Sequence, residues 1–253
     1  MTQHAAVLGS PISHSLSPVL HNAGYAALGL DFSYHAIECT EEQLPAVVAE
    51  HEDYRGFSVT MPCKFAALDF ADSATERARA IGSANTLVRT DSGWLADNTD
   101  CLGVIGALQQ LGGPFHHVAL LGAGGTARAV IWALAELGVR EVDVYNRSDR
   151  LAELADIADI ALTWRPLVPG AITADLVVNT VPARHVPDIE VSGAVFDVIY
   201  DPWPTPLVAK AQRSVGGHVM LAHQAFAQFE HFTGSAAPRA AMQAALSTHL
   251  GFN

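Results

Sequence analysis

The sequence predicts an α/β protein of two domains that ends in a pair of helices. Half of the 253 residues are hydrophobic and 16% are charged, which is typical of globular chains of one large or two modest domains. Short apolar runs alternate with helical patterns, and this alternation becomes regular only after Gly112-Gly113-Pro114. We therefore predict one domain from residues 1–101 with 219–253, and a second from residues 102–218.

The N-terminal elements follow from local patterns. Ser17-Pro18 predicts a helix start with Ser17 as its N-cap, and Gly29 predicts its end. Turn residues at Asp91-Ser92-Gly93 predict a hairpin. The remaining predicted elements are strands at Ala5–Leu8, Phe32–Ile37 and Gly56–Thr60, the hairpin at Thr86–Ala96, and helices at Glu41–Glu50 and from Asn98-Thr99-Asp100 to Leu111.

The second half is predicted as strand–helix alternation. We expect strands near Val118–Leu121, Val142–Asn146, Leu176–Asn179 and Val195–Ile199, with helices between most of them. The C-terminal residues predict helices at Ala222–Phe232 and Pro238–Leu250.

Composition limits the partners. A net charge of −12, with only 14 Lys and Arg, disfavours nucleic acid and anionic membranes. No 18-residue apolar span or leader pattern is present, so neither a membrane anchor nor a signal peptide is expected. The three cysteines, Cys39, Cys63 and Cys101, form no metal-type cluster, so we expect no metal site and a reduced, cytoplasmic protein.

A glycine-rich turn is the most informative motif. The apolar run Val118–Leu121 leads into Gly122-Ala123-Gly124-Gly125-Thr126-Ala127 and an alanine-rich helix. Glycines at such a turn let backbone N–H groups approach a pyrophosphate at the positive end of the helix dipole. The motif predicts a Rossmann-type dinucleotide site, although an ordinary strand–helix turn without a ligand is the alternative.

The next strand indicates which dinucleotide is bound. NAD-binding strands normally end here in a carboxylate, but this chain has Asn146-Arg147-Ser148. A guanidinium matches the oxygens of a 2′-phosphate and stays charged at every physiological pH. The pattern favours NADP, unless Arg147 is simply a solvated surface residue.

Polar groups in the first hundred residues are candidates for binding a substrate. Ser15 and Ser17 lie at a predicted helix start, where hydroxyls and the helix dipole can hold a carboxylate or merely cap the helix. Lys64 follows the strand that ends at Thr60, where it could polarise a carbonyl and supply a proton, or simply open a helix at the surface.

Two further groups complete this set. Asp100 is either a helix cap or a carboxylate that holds the Lys64 ammonium in place and favours its charged form. Such a pair could move the proton of an alcohol during hydride transfer. Asn85, at a strand start, adds a neutral hydrogen-bond donor and acceptor.

Together, and in this order, these motifs resemble the shikimate/quinate dehydrogenase family over essentially the whole chain. The resemblance implies reversible, NADP-dependent reduction of 3-dehydroshikimate to shikimate in a cleft between the two domains, with the C-terminal helices packed back on the substrate domain. The roles that it implies are catalysis by Lys64 and Asp100, substrate binding by Ser15, Ser17, Thr60, Asn85, Tyr200 and Gln224, and cofactor binding by Gly122, Ala123, Gly124, Gly125, Thr126, Ala127, Asn146, Arg147, Ser148 and Thr180.

The chain departs from the family pattern at four positions. Ser58 replaces the usual Asn, Cys101 the usual Gly, Ala96 a frequent Gly, and Leu151 a basic residue, although Arg150 stands one place earlier.

Two other functions stay open: an NAD-dependent quinate/shikimate dehydrogenase and a non-catalytic NADP-binding paralogue. Ser17 favours shikimate, because relatives that accept quinate often have Thr there, and the retained Lys64 and Asp100 favour catalysis. The expected partner is a small-molecule substrate, and the expected state is a monomer or a homodimer.

Overall fold

A computed structural model describes residues 1–252 of the chain, which forms two compact units. The first contains Met1–Thr99 and the residues from Gln224 onward, and the second contains Asp100–His223. The chain thus divides after Thr99 and after His223. The boundaries predicted from the sequence lie after residues 101 and 218.

The first unit is built on a mixed six-stranded sheet of order β2-β1-β3-β5-β6-β4. β1 runs parallel to β2 and β3, whereas β5 is antiparallel to both β3 and β6. The predicted N-terminal strands and the predicted hairpin are confirmed. The strands are β1 Gln3–Gly9, β2 Phe32–Glu38, β3 Gly56–Val59, β4 Ser73–Ala74, β5 Thr86–Thr90 and β6 Gly93–Asp97.

Four helices accompany these strands: α1 Ser17–Leu28, α2 Leu44–Glu50, α3 Lys64–Phe70 and α4 Glu76–Ile81. α1 ends at Gly29 with a φ of 63°, as predicted. The predicted Ser17 cap is wrong, because Leu16 occupies the capping position and Ser17 is already the first helical residue. α2 begins later than predicted, because Thr40 and Gln43 form a turn in which the Thr40 N–H donates to Gln43 Oε1 at 3.0 Å.

The second unit contains an all-parallel sheet of order β14-β13-β11-β7-β8-β9. In chain order this is 6-5-4-1-2-3, the arrangement of the Rossmann fold, so the predicted fold class is confirmed. β7 and β11 are buried along their whole length, as expected for strands inside a parallel sheet. The elements are α5 Asp100–Leu111, β7 Val118–Leu121, α6 Gly125–Glu136, β8 Glu141–Asn146, β9 Ala161–Pro166, β10 Gly170–Ile172, β11 Leu176–Asn179, β12 Ile189–Val191, β13 Ala194–Asp197 and β14 Ser214–Gly216.

The prediction of helices between most of these strands is wrong. α6 is the one α-helix that connects consecutive strands of this sheet within the described residues. The other connections are short 3-10 turns, loops and the small parallel pair β10–β12. Proline interrupts helices because it lacks an N–H donor and clashes with the preceding turn, and these connections contain Pro169, Pro182 and Pro187.

The C-terminal helices, α7 Gly217–Thr233 and α8 Arg239–Leu250, confirm the predicted helical tail. From Gln224 onward they pack on the first unit, as the resemblance implies. Two glycines make room for phenylalanines of α7: a Cβ on Gly24 would lie 2.7 Å from Phe229, and one on Gly56 would lie 2.3 Å from Phe232. Among residues 1–252, no helix is both long and apolar enough to cross a membrane.

A buried carboxylate fixes the end of β6. Asp97 is inaccessible to solvent and accepts hydrogen bonds from Arg77 Nε and Thr75 Oγ1, both at 2.7 Å, and contacts His231 Nε2 at 2.8 Å. Burial alone would raise the pKa of Asp97, but these three partners hold it well below its usual value. Asp97 therefore joins β6 to α4 and α7 as a carboxylate.

Replacing Asp97 by Asn should lower the free energy of unfolding at pH 7 by about 2–3 kcal/mol, because it removes the carboxylate that binds the Arg77 guanidinium. A carboxyl whose pKa is depressed by folding stabilises the protein above its unfolded pKa of about 4 and loses that effect as the pH falls toward the folded pKa. The difference between wild type and Asp97→Asn in urea denaturation should therefore shrink below about pH 4. A difference that is constant from pH 7 to pH 3 would contradict this account.

Candidate active site

The sheet topology of the first unit brings most of the predicted substrate-binding segments to one edge. β1 and β3 are parallel, with Leu8 opposite Val59, so both strands end at this edge. β5 begins there, because Thr86 is opposite Ser58 in the antiparallel pair, and β6 ends there with Asp97 opposite Thr86. We call this edge the substrate edge.

Close backbone contacts hold two loops together at the substrate edge. The Thr60 N–H donates to Leu8 O at 2.8 Å, and the Ser10 N–H donates to Met61 O at 3.0 Å. A Cβ on Gly9 would lie 2.4 Å from Thr60 Cγ2 and 2.8 Å from Met61 O, so only glycine fits this approach.

Lys64 begins α3 directly after this contact. It is partly buried, and its carbonyl accepts a hydrogen bond from the Ala84 N–H at 2.9 Å. This bond joins the start of α3 to the segment that leads to Asn85. The backbone of the predicted acid–base residue is therefore fixed at the substrate edge.

The loop that carries Ser15 and Ser17 is attached to the end of β2. Glu38 accepts from Ser10 Oγ at 2.6 Å and from the Ile12 N–H at 3.1 Å. Ser15 Oγ lies 3.4 Å from the Ser17 N–H at the start of α1, so the two predicted carboxylate-binding serines are neighbours. Glu38 is a positioning residue that the sequence analysis missed.

Asn85 and Gln224, 139 residues apart in sequence, meet inside the first unit. Asn85 is 2% exposed, and its Nδ2 donates to Gln224 Oε1 at 3.3 Å and to Thr99 Oγ1 at 3.0 Å. Its Oδ1 accepts from the Thr99 N–H at 2.7 Å and from Thr86 Oγ1 at 2.9 Å. Two predicted substrate-binding side chains are thus brought together with defined donors and acceptors.

A buried group of hydrogen-bonded side chains next to Asn85, made of Tyr34, Ser58 and Gln228, was not predicted. Tyr34 donates to Ser58 Oγ at 2.5 Å, and Ser58 donates to Gln228 Oε1 at 2.7 Å. Burial raises the pKa of Tyr34 despite hydrogen bonds that involve Ser58 and Ser17. His21 stacks on Tyr34 with ring centroids 4.2 Å apart, and burial lowers its pKa to about 3, so its ring is neutral.

The second unit presents the predicted cofactor residues at the carboxyl edge of its sheet. β7 lies between β8 and β11, the point at which the strand order reverses and where such folds bind ligands. Gly122 has a φ of 99°, and a Cβ on it would lie 2.4 Å from Thr180 Oγ1. Thr180 Oγ1 donates to Leu121 O at 2.7 Å. Because Leu121 directly precedes Gly122, this hydrogen bond holds Thr180 against the glycine turn.

The turn leaves room for a ligand at the start of α6. A Cβ on Gly124 or Gly125 would meet no atom within 4 Å, and no side chain caps this helix. The first N–H groups of α6 are therefore available to a pyrophosphate. These residues fit a dinucleotide.

Arg147 is available to a phosphate. It is exposed at the end of β8 and makes no side-chain hydrogen bond or ion pair with the described residues. Arg150, in contrast, binds both oxygens of Glu153, and Arg128 donates to the Glu153 carbonyl. Glu153 thus holds two nearby guanidiniums and leaves Arg147 free.

The segment leading to Tyr200 is fixed by Asp197 at the end of β13. Asp197 accepts from Asn179 Nδ2 at 2.9 Å, Thr205 Oγ1 at 2.6 Å and the Ile199 N–H at 3.1 Å. Burial raises the pKa of Asp197, and burial beside Asp201 raises the pKa of Tyr200.

The predicted site residues are divided between the two units. The first unit holds Ser15, Ser17, Thr60, Lys64, Asn85 and Gln224. The second holds Asp100, Tyr200 and all of the cofactor set. Because Lys64 and Asp100 belong to different units, their pairing stays a prediction. Within residues 1–252, no cluster of His, Cys, Asp or Glu could hold a metal ion.

The fold and these two edges define an α/β oxidoreductase with a Rossmann-type cofactor unit. Comparison with known proteins specifies the family. A family model described as the shikimate dehydrogenase substrate binding domain matches residues 7–87, and one described as the shikimate 5'-dehydrogenase C-terminal domain matches residues 217–246. The chain belongs to the shikimate dehydrogenase family.

Individual relatives are similar to this protein over almost the whole length of the chain. Shikimate dehydrogenase (NADP(+)) of Thermosynechococcus vestitus is 34% identical over 276 residues, covering 99% of this chain and 96% of the relative. The sequence of Mycobacterium tuberculosis shikimate dehydrogenase is 47% identical, and its crystal structure superimposes with a TM-score of 0.86. The match covers 98% of this chain and 99% of the other. The ligand-free 5-ketofructose reductase of Gluconobacter sp. strain CHM43 is 25% identical, with a TM-score of 0.88 and the same coverage.

Arg147→Ala should weaken NADPH about 10- to 100-fold, the usual loss for one charge-assisted hydrogen bond, and leave NADH nearly unchanged. Arg150→Ala is the matched control, because Glu153 already holds that guanidinium, and it should change NADPH binding less than about 3-fold. Fluorescence titration of both cofactors at fixed salt measures the six dissociation constants of the wild type and the two variants. Equal losses for NADPH and NADH in Arg147→Ala would show that this residue does not read the 2′-phosphate.

Proposed function

We propose that this chain is an NADP-dependent shikimate dehydrogenase that reversibly reduces 3-dehydroshikimate to shikimate. The observation that carries the proposal is the substrate edge. Thr60, Lys64 and Asn85 lie next to its strand ends, and Gln224 on α7 binds Asn85 there. Ser15 and Ser17 lie in the loop and at the helix start that Glu38 attaches to the end of β2. The named function of relatives that cover nearly the whole chain supports it.

The chemistry divides among these residues. Ser15 and Ser17, at the start of α1, bind the carboxylate of the substrate. Asn85 and Gln224 bind hydroxyls of its ring. Lys64 donates a proton to the alkoxide oxygen that forms during reduction and takes it back during oxidation, and Asp100 favours the charged ammonium.

NADPH, when bound, supplies the hydride. Gly122–Ala127 and the first turn of α6 hold its pyrophosphate, and Arg147 with Asn146 and Ser148 holds its 2′-phosphate. The free guanidinium of Arg147 supports NADP over NAD.

The identity of the substrate needs a direct test, because a 5-ketofructose reductase has the same fold. That sugar lacks the carboxylate that Ser15 and Ser17 would bind. A matrix of kcat/KM for shikimate, quinate and fructose as reductants, each with NADP and NAD, distinguishes the alternatives. Highest activity with shikimate and NADP is expected; absence of activity with shikimate would overturn the proposal.

The three cysteines are buried thiols that form no disulfide within the described residues, which supports a reducing compartment such as the cytoplasm. The choice between a monomer and a homodimer stays a prediction.

Lys64→Met should lower kcat for shikimate about 10²- to 10⁴-fold, the usual effect of losing a positioned acid–base group. The KM for shikimate should change much less, because other side chains hold the ring. Absorbance of NADPH in steady-state assays measures both constants. Near wild-type kcat in this variant would remove Lys64 from the chemistry.

Asp100→Asn should also lower kcat, since a neutral amide does not favour the ammonium. The double variant with Lys64→Met should be little worse than the worse single variant, because residues that act as a unit are not additive. Losses that multiply in full would show that the two residues act independently.

A further inference from the structure

The side chain of Asn179, at the end of β11, holds the backbone of the residue that follows Thr180. The Val181 N–H donates to Asn179 Oδ1 at 3.0 Å, and Asn179 Nδ2 donates to Val181 O at 2.9 Å. One amide therefore binds both polar backbone groups of Val181. Asn179 is inaccessible to solvent, so its amide depends on protein partners.

The bonds to Val181 also determine which way the Asn179 amide faces. A backbone N–H can only donate, so Oδ1 must face the Val181 N–H, and the two hydrogens of Nδ2 are left for acceptors. One hydrogen is donated to Val181 O and the other to Asp197 Oδ1, each at 2.9 Å. Both hydrogens of the Asn179 amide are used within the protein, so Asn179 is not a donor to a ligand.

Val181 lies against the glycine turn at the start of α6. A Cβ on Gly122 would lie 3.1 Å from Val181 Cγ2 and 2.4 Å from Thr180 Oγ1, so both residues line this side of the turn. Thr180 is attached to β7 by its own bonds to Leu121 O. The Val181 backbone, in contrast, forms its hydrogen bonds among the described residues with Asn179 alone.

Asp197, at the end of β13, anchors the Asn179 amide. The two residues are opposite each other in the parallel pair of β11 and β13. Asp197 is inaccessible to solvent, and the donors that it binds are Asn179 Nδ2, Thr205 Oγ1 and the Ile199 N–H. Because Asp197 Oδ1 accepts from both Asn179 and Ile199, the segments that leave the two strands are joined at one atom.

We propose that Asn179 is a positioning residue, anchored by Asp197, that holds Val181 against the glycine turn and thereby maintains the shape in which this turn binds the pyrophosphate of the cofactor. This inference rests on the cofactor part of the proposed function, and it adds a residue to which the sequence analysis assigns no role. The pyrophosphate is common to NADP and NAD. Loss of Asn179 therefore weakens both cofactors equally, whereas loss of Arg147 weakens NADPH alone.

Two substitutions at Asn179 test its action on Val181. Asn179→Ala removes both bonds to Val181 and should weaken NADPH and NADH by the same factor, roughly 3- to 10-fold, as expected for about one neutral hydrogen bond. Asn179→Ser keeps a hydroxyl that can accept from the N–H two residues later, so it should lose less affinity. Fluorescence titration measures the Kd of each cofactor. The Kd for shikimate, measured by calorimetry without cofactor, should stay unchanged.

Two substitutions at Asp197 test the anchor. Asp197→Asn keeps an oxygen that accepts from Asn179 and from the Ile199 N–H, and its amide nitrogen can donate to Thr205 Oγ1, so both cofactor Kd values should stay within about 2-fold of wild type. Asp197→Ala removes the acceptor and should weaken both cofactors as Asn179→Ala does.

Asp175→Ala is the matched control for these variants. Asp175 directly precedes β11, at the opposite edge of the same sheet, and its carboxylate accepts from two backbone N–H groups at 2.9 Å. This variant should lower Tm without weakening either cofactor.

A double-mutant cycle separates positioning from a general loss of stability. Val181→Ala removes the methyl groups that contact the glycine turn but keeps the backbone groups that Asn179 binds. If Asn179 acts through Val181, then Asn179→Ala should weaken NADPH less in the Val181→Ala background than in the wild type. Thermal unfolding of the cofactor-free variants shows which of them are folded.

The outcomes distinguish this inference from the function on which it rests. A wild-type protein that binds no NADPH would overturn both, and one that binds NADPH but does not oxidise shikimate would overturn the function alone. With cofactor binding established, the inference falls if folded Asn179→Ala keeps the wild-type Kd, if it weakens NADPH but not NADH, or if its effect is the same in both Val181 backgrounds. It also falls if Asp197→Asn loses as much affinity as Asp197→Ala.

Equal losses for the two cofactors, retained affinity in Asp197→Asn and a reduced effect in the Val181→Ala background support the inference. If Asn179→Ala does not fold, Asn179→Ser and the two Asp197 variants decide the question by the same criteria.

Discussion

The buried carboxylate of Asp97 is the interaction on which the substrate edge of the first unit depends. It joins β6 to Thr75 and Arg77 at the start of α4 and to His231 on α7. Thr99 follows two residues after Asp97, and its N–H donates to Asn85 Oδ1. The position of the Asn85 amide therefore depends on a charge that is compensated by residues from two other parts of the sequence.

The sequence predicts the sheets well because their strands carry a local signal. β7 and β11 match their predicted ranges residue for residue, since short apolar runs bounded by glycine, proline or polar residues are typical of buried parallel strands. The glycine turn and Arg147 were also predictable, because their chemistry lies within one strand–helix unit. Their roles in binding stay predictions.

The errors arise where tertiary structure overrides local preference. Serine is a favoured N-cap residue, but the helix begins one residue earlier than predicted, with Leu16 at the capping position and Ser17 inside the first turn. The connections of the second unit lack the expected helices, and β9 was not predicted because it alternates weakly at the edge of its sheet. The buried network was beyond the sequence because Ser58 and Gln228, 170 residues apart, carry no local sign that they meet.

The division of the first unit between both ends of the chain has a consequence for biosynthesis. Its sheet is made early, but Phe229 and Phe232, which fill the space over Gly24 and Gly56, leave the ribosome only after the whole second unit. The continuous second unit can fold as soon as it has emerged, because domains generally fold as units during translation. The sheet made first must wait with an uncovered apolar face, so the nascent chain is most exposed to aggregation and proteolysis before its last two helices are complete.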